Sequence, residues 1–295
     1  MKNKSLTLTV VANMTSNYSE GLGNVANVQK IFRNGRVYAT RSRESLKNAI
    51  MVQSGMYDDL KTSVNGATQK FVDENLNASN CRALEGGYMN TSDTTVIRKS
   101  SFYLTDAVAC DEFVNETRFH NNLYLASNYA KSQGLNLQKD KNATAAGLMP
   151  YQYEFDKSMK QYSITFDLDK VGVDENFDSE ASNEEKIDRV LSIIRTIRTL
   201  SLTVKGNLDN AEPILIFGGI GKYKTHYFEN VVRVKRNNLE ITEDLKSRLE
   251  GEYNVALLKG NNFENEDEII RELNPMSMHE FFEKLEQDVK SYYEQ

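Results

Sequence analysis

The residues best suited to chemistry lie in a basic segment, residues 21–50, of an acidic chain. The protein has a net charge of −6, whereas this segment carries six cations against Glu44 alone, or +5 in thirty residues. At Arg41-Ser42-Arg43 the chain enters a predicted helix, whose first backbone N–H groups attract anions. A phosphate there would also meet both arginines and the Ser42 hydroxyl. An ordinary capped helix start is the alternative. The six cations are Lys30, Arg33, Arg36, Arg41, Arg43 and Lys47.

A glycine-rich segment, FGGIGKYKTH at residues 217–226, is the second candidate. It does not match a nucleoside-triphosphate loop, because Ile216 stands where that motif needs its first glycine and Tyr223 where it needs Ser or Thr. Two interpretations stay open. Glycines after a buried strand would let an RNA backbone approach, helped by Lys222 and Lys224, or they form a plain connection between strands.

The titratable residues predict no catalytic centre. His226 could act as acid or base in metal-independent RNA cleavage, but a single histidine in a basic loop is more often a surface residue. His120, His226 and His279 lack metal-ligand spacing. Asp167 and Asp169 would share one face of a strand, which alone is weak support for a metal. We therefore expect no enzyme activity, no metal and no cofactor.

Composition and length restrict the class of protein. A chain of 295 residues with 39% hydrophobic residues can form a substantial core. No apolar run is long enough to span a membrane. Cys81 and Cys110 are too few for a disulfide framework, so we expect a reducing, cytoplasmic location. The net acidity argues against nonspecific coating of nucleic acid but allows a localised groove.

The elements that must position these residues begin with an alternating strand over residues 5–12. Residues 15–34 are predicted to be a loop, 36–40 a short strand, and the helix capped by Ser42 ends near Gly55. Residues 56–150 form an elaborated insertion with short strands near 94–98 and 101–104.

The second half alternates strands and helices. Strands are predicted at 151–155 and 161–168, and a helix at 183–200 begins with a capping box of Ser182 and Glu185. A buried strand at 213–217 is then broken by glycines, a further strand covers 231–234, and Ser277 and Glu280 start a C-terminal helix. The order predicts an α+β protein with antiparallel neighbours and a ferredoxin-like, split βαβ core.

Residues 6–54 resemble the CRISPR-associated backbone proteins, the "seven" family of Cascade effectors, and within it the type I-B, DevR-like group. The resemblance lies in LTLTVVAN, NYSEGLGNVANVQK and NGRVYATRSRESLKNAI. Later segments agree in outline: YMNTSDTTVIRKSSFYLTDAVA with Thr105-Asp106, RVLSIIRTIRTL, and KGNLDNAEPILIF.

The resemblance implies a single palm domain, residues 1–295, with a modified RNA-recognition-motif fold. It also implies an inserted fingers-like region at 56–150 and a thumb hairpin at 200–212. Members of the family polymerise along one CRISPR guide RNA, pair it with target DNA and do not cut DNA themselves. The implied partners are guide RNA, further copies of the chain, other Cascade subunits and a recruited helicase-nuclease. Taken together with the basic segment and the glycine-rich segment, the resemblance gives the candidate RNA-binding residues Asn27, Gln29, Lys30, Arg41, Ser42, Arg43, Lys47, Lys205, Asn207 and Lys222.

Two other functions stay open from the sequence. One is a metal-independent endoribonuclease of the same RNA-binding superfamily that uses His226. The other is a structural or regulatory protein whose basic segment binds a small phosphate.

Overall fold

The computed structural model describes residues 4–18, 25–60, 74–91 and 95–294. Gly21 and Gly23 of the predicted loop lie outside these residues. The helices are α1 Arg43–Gln53, α2 Leu123–Ser132, α3 Asp140–Ala145, α4 Asn183–Arg198, α5 Glu243–Leu249, α6 Glu266–Leu273 and α7 Met278–Glu294. The strands are β1 Ser5–Thr15, β2 Val25–Ala26, β3 Lys30–Arg33, β4 Arg36–Arg41, β5 Tyr88–Thr91, β6 Thr95–Arg98, β7 Phe102–Leu104, β8 Ala107–Ala109, β9 Thr117–His120, β10 Tyr151–Glu154, β11 Lys157–Asp167, β12 Val173–Asp174, β13 Ser179–Glu180, β14 Ser201–Val204, β15 Asn207–Asn210, β16 Leu215–Gly221, β17 Val234–Lys235, β18 Asn238–Leu239 and β19 Asn254–Leu257.

A large antiparallel sheet organises the chain around β1. Its order is β19-β16-β1-β11-β8-β4-β3, and β7 also pairs with β11. β1 pairs with β11 along its whole length, from Ser5 opposite Asp167 to Thr15 opposite Lys157. The α+β class with antiparallel neighbours is therefore confirmed. The chain passes through six of its elements in the order β1, α1, β7, β11, α4 and β16, with other elements between them. Four of these strands lie side by side in the sheet, in the order β16, β1, β11 and β7.

The alternation of β1 sends its side chains to two different layers. Leu6, Leu8 and Val10 enter a core with α1, α4 and α7. On the opposite face Thr7 and Thr9 are buried and bond to Thr165 and Ser163 at 3.0 and 2.7 Å. These pairs satisfy hydroxyls that would be costly to bury alone.

A second core lies between the β16–β19 edge and the C-terminal third of the chain. Phe217, Phe228, Leu245, Val255 and Ile269 belong to it. The predicted strand at 231–234 is wrong over most of its length, because Val231 and Val232 bond back to the Phe228 carbonyl in turns and β17 begins at Val234.

The glycines after PILIF do not break the strand, contrary to the sequence prediction. Gly218, Gly219 and Gly221 lie inside β16, which runs to Gly221. A Cβ on Gly218 would collide with the Thr7 carbonyl oxygen, and one on Gly221 with the Tyr253 ring. The glycines therefore serve close packing within the protein, and the predicted end of the strand at residue 217 is wrong.

The helix predicted at 183–200 is α4, and Ser182 caps it by accepting from the Glu185 N–H at 3.3 Å. The Glu185 carboxylate, however, binds Arg82 and Arg189. Arg189 is only 1% exposed and also pairs with buried Glu85 at 2.7 Å.

Residues 56–150 do not form one separate unit, because β7 and β8 join the large sheet, whereas β9 belongs to a small three-stranded sheet. β10 pairs antiparallel with β9 and parallel with β2. α2 and α3 lie next to it, around a small core of Ala126, Ala130 and Ala146. Residues 15–34, predicted as a loop, contribute β2 and also β3, which joins the large sheet through β4. Within the described residues, every helix is too short or too polar to cross a membrane.

Candidate nucleic-acid interface

The C-terminal end of β1 brings together residues that are far apart in sequence. Thr15 accepts from buried Arg41 at 3.1 Å and donates its N–H to Asp209 at 2.7 Å. Asn17 accepts from the Ser42 N–H through its side chain and from the Gln29 N–H through its carbonyl, at 2.8 and 2.9 Å. Tyr18 forms a bridge with Val28.

The N-terminus of α1 already holds protein acceptors. The Ser42 Oγ accepts from the Ser45 N–H at 3.3 Å, as a capping serine does. An Asp106 carboxylate oxygen accepts from the Arg43 N–H at 2.8 Å. The anion that a helix start favours is therefore supplied by Asp106, so a phosphate cannot use this N–H as the sequence suggested.

Arg41 and Arg43 do not point to the same surface. Arg41 is 6% exposed, and burial lowers its pKa, partly opposed by the charge of Asp209. Arg41 therefore supports the end of β1 from within the protein, through its bond to the Thr15 carbonyl, and does not face a ligand. The Arg43 side chain is 65% exposed and bonds Glu44 at 2.7 Å, which lowers the pKa of that carboxyl.

Lys30 and Lys47 are held by neighbouring groups. Lys47 Nζ donates to the Gly86 carbonyl and to Ser100 Oγ at 3.1 and 3.3 Å, and lies 4.6 Å from the centre of the Phe102 ring. Lys30 pairs with Glu154 at 2.5 Å. Both cations thus bind other parts of the protein, Lys30 at β10 and Lys47 beside β7.

The hairpin β14–β15 adds a cation beside the end of β1. Its turn residues Lys205 and Gly206 have φ values of 50° and 79°, which suits a tight two-residue hairpin. Lys205 Nζ lies 5.1 Å from the centre of the Tyr18 ring. Asn207 is exposed next to it. We call the surface formed by Asn17, Tyr18, Lys205 and Asn207, together with Arg43, which follows the Asn17 partner Ser42 in sequence, the β1-end surface.

The remaining predicted residues divide between this surface and a distant one. Asn27 is exposed between β2 and β3, and Gln29 is half-buried, with its carbonyl accepting from the Thr40 N–H at 2.9 Å. Lys222 follows Gly221, which pairs with Ser5 at the opposite end of β1. Ten residues of strand separate Ser5 from Thr15, roughly 33 Å. Lys222 therefore lies apart from the other candidates.

Arg33 and Arg36 line a separate groove of about 1060 Å³ together with three cations from the other end of the chain, Arg233, Lys235 and Arg236. Sequence inspection did not pair these two basic segments. The walls of the groove also carry acidic residues, and Arg36 pairs with one of them, Glu112, at 2.5 Å. Charge in this groove is thus mixed rather than uniformly positive.

The alternative catalytic residues have structural partners. His226 Nδ1 lies 2.9 Å from Thr165 Oγ1, and burial lowers its pKa. Asp167 and Asp169 both bind Lys224, at 2.6 and 2.9 Å. Over the described part of the chain, no cluster of His, Cys, Asp or Glu could hold a metal ion.

Asn17, Tyr18 and Asp209 are site residues that the sequence argument missed. The available signal was an Asn-Tyr pair directly after a strong strand, a position where polar side chains are free to contact later segments. Burial raises the pKa of Tyr18 to about 12, so its ring stays a neutral phenol.

Comparison with known proteins identifies relatives. A family model described as "CRISPR-associated negative auto-regulator DevR/Csa2" matches residues 6–243. A chain of a solved "CRISPR RNA-guided surveillance complex" is 12% identical with a TM-score of 0.50, over 87% of this chain and 90% of that chain. A chain of a "CRISPR RNA-guided surveillance complex, pre-nicking" is 10% identical with a TM-score of 0.55, over 87% and 93%. These likenesses show a shared fold. Curated proteins give no match.

Proposed function

Because the chain belongs to the CRISPR-associated DevR/Csa2 family, we propose that it is a noncatalytic backbone subunit of a type I effector complex in antiviral defence. It grips the backbone of a guide RNA through the β1-end surface. One observation carries the proposal: the start of α1 and the exposed cation Lys205 are both joined to the residues that follow β1, the first through the Ser42 N–H on Asn17 and the second through the Tyr18 ring. Arg43, which is also exposed, follows Ser42 in sequence and lies 162 positions before Lys205.

The parts of the fold acquire roles in this proposal. The large sheet with α1, α4 and α7 is the palm, the insertion at 56–150 supplies fingers, and the β14–β15 hairpin is the thumb. Contacts to phosphates hold a strand in register without reading its sequence. Sequence would be read by pairing between the guide and target DNA.

Several copies of the subunit would follow one another along the guide, beside other subunits of the complex, and a separate helicase-nuclease would cut the target. The chain itself would do no chemistry on RNA. This part of the proposal is supported by the bond of His226 to Thr165 and by the pairing of Asp167 and Asp169 with Lys224.

The salt dependence of RNA binding tests the site. Each phosphate contact on a single strand contributes a slope of roughly 0.7 in log affinity against log salt. Replacing Arg43 and Lys205 together with Ala should reduce the slope by about 1.4 and weaken binding of a single-stranded RNA at low salt. A matched control is Lys4→Ala with Arg271→Ala, which removes two exposed cations elsewhere. Equal slopes for the two double variants would refute the assignment.

A further inference from the structure

Three aromatic rings lie parallel on one face of the β9–β10 sheet. His120 stacks on Tyr151 and on Tyr153, with ring centres 5.5 and 5.0 Å apart, and the three planes agree within 17°. Tyr153 is 7% exposed and anchors the group, whereas Tyr151 is 46% exposed and His120 is also exposed. Rings that only filled a core would not leave two members open to solvent.

The ring group continues into the β1-end surface. Tyr18 packs edge-on against Tyr153 with ring centres 5.8 Å apart, and Lys205 lies over the other ring of this pair, Tyr18. Arg118, opposite Tyr153 on the same face, adds a second cation and covers the Phe155 ring at 3.3 Å. Aromatic faces flanked by cations are how proteins hold single strands: rings stack on bases while cations meet phosphates.

We propose that His120 and Tyr151 form a stacking platform for an unpaired base of the strand gripped at the β1-end surface. This rests on the proposed function and adds a base contact to it. The platform is preformed, since the rings are already parallel before a base arrives, so little ordering cost falls on binding. Any base can stack there, because every base has an aromatic face.

Exposure of an aromatic ring alone does not select this site. Phe119 is 65% exposed on the opposite face of β9, yet within the described residues it has no stacked ring beside it. Phe119→Ala is therefore a matched control: the same strand, an exposed ring, and no platform.

The test measures binding of a short oligouridylate that carries one 2-aminopurine, by anisotropy and by quenching of the purine fluorescence. Tyr151→Ala should weaken binding roughly 5- to 150-fold, the loss expected for one stacked base. The salt slope should stay unchanged, since no phosphate contact is lost. Tyr151→Phe should retain affinity and quenching, as should Phe119→Ala. His120→Ala provides a second variant if Tyr151→Ala fails to fold.

A cycle with modified RNA separates stacking from structural damage. Removing the base at the quenched position should weaken binding to the wild-type chain but hardly change binding to Tyr151→Ala. If the Tyr151→Ala and His120→Ala variants bind the RNA as tightly as the wild-type chain does, the platform is overturned and the guide-binding proposal stands. No binding of RNA by the wild-type chain would overturn both.

Discussion

Asp209 offers a sharp test of how the hairpin is held at the site. Its side chain is 2% exposed; it accepts from the Thr15 N–H at 2.7 Å and pairs with Lys157 at 3.1 Å. We predict that Asp209→Asn loosens β14–β15 without unfolding the chain. The substitution keeps the shape of the side chain but removes the charge that strengthens both contacts.

The size of the effect follows from these two contacts. A buried hydrogen bond to a charged group is worth about 1.5–3 kcal/mol. The ion pair adds less than about 1 kcal/mol, because the Lys157 side chain is 44% exposed and water replaces its partner. The amide oxygen of the Asp209→Asn variant still accepts from the Thr15 N–H, as a neutral bond worth about 0.5–1.5 kcal/mol. The net loss in local stability is therefore about 1–2.5 kcal/mol, which corresponds to amide exchange about 5- to 60-fold faster across β14–β15. RNA affinity should fall as well, since Lys205 would no longer be held beside Tyr18.

Hydrogen exchange followed by mass spectrometry measures this segment directly. The control is Leu208→Ala, which truncates a 74% exposed side chain at the neighbouring position of β15 and leaves both contacts of Asp209 intact. Unchanged exchange at 201–210 in Asp209→Asn would refute the anchoring role. An equal acceleration in every element would also refute it, because the change would then be global.

The difference in stability between the wild-type chain and Asp209→Asn should depend on pH in a definite direction. Burial raises the pKa of Asp209, but the bonds from Thr15 and the charge of Lys157 outweigh burial and leave the pKa below its usual value. A group with a lowered folded pKa stabilises the fold above its unfolded pKa of about 3.9 and loses this contribution as pH falls through the folded value. The gap between wild type and Asp209→Asn should therefore narrow only below about pH 3.9.

Two further predictions concern the core and the absence of chemistry. Arg189→Leu should lower the urea unfolding free energy by about 3–5 kcal/mol, since it removes a buried cation that pairs with Glu85 and, within the described residues, leaves only Arg98 to balance that carboxylate. Arg195→Ala, at a 53% exposed side chain, should cost less than about 1 kcal/mol; equal costs would contradict the buried network. Repeat RNA incubated with the wild-type chain in EDTA should stay intact, and specific cleavage that disappears in His226→Ala would establish the ribonuclease instead.

Local patterns were sufficient where structure depends on neighbours in sequence. The alternation of residues 5–12 predicted β1, although the strand continues to Thr15. The C-terminal capping box is formed as expected: Ser277 donates its N–H to the Glu280 carboxylate at 2.9 Å, and the Glu280 N–H donates to the Ser277 hydroxyl at 3.2 Å. Here both partners lie within one turn, so the sequence contains the whole interaction.

The sequence could not show what depends on distant partners. Arg41 looked like a surface cation, but it is buried, donates to the Thr15 carbonyl 26 positions away and interacts with the charge of Asp209, 168 positions away. Arg189 likewise meets Glu85 across 104 positions. The glycines of β16 resemble a loop because their role, making room for Thr7 and Tyr253, is visible only once strands are paired.

The clustering of candidate RNA-binding residues was partly predictable. The segment around Ser42 was identified from charge and helix signals, and the hairpin at 200–212 from the family resemblance. The sequence could not show that the two segments contact Asn17 and Tyr18, respectively, nor that Lys222 lies at the opposite end of β1. Both facts depend on how the strands pair in the sheet.

The most direct test of the central claim is the nucleic acid that accompanies the full-length chain when it is purified from cells that supply guide RNA. We predict an oligomer with a high ratio of absorbance at 260 nm to that at 280 nm, carrying RNA of one discrete length, and loss of that RNA in the Arg43→Ala, Lys205→Ala double variant. A monomer free of RNA under the same conditions would refute guide-RNA binding and favour a protein that binds a small phosphate.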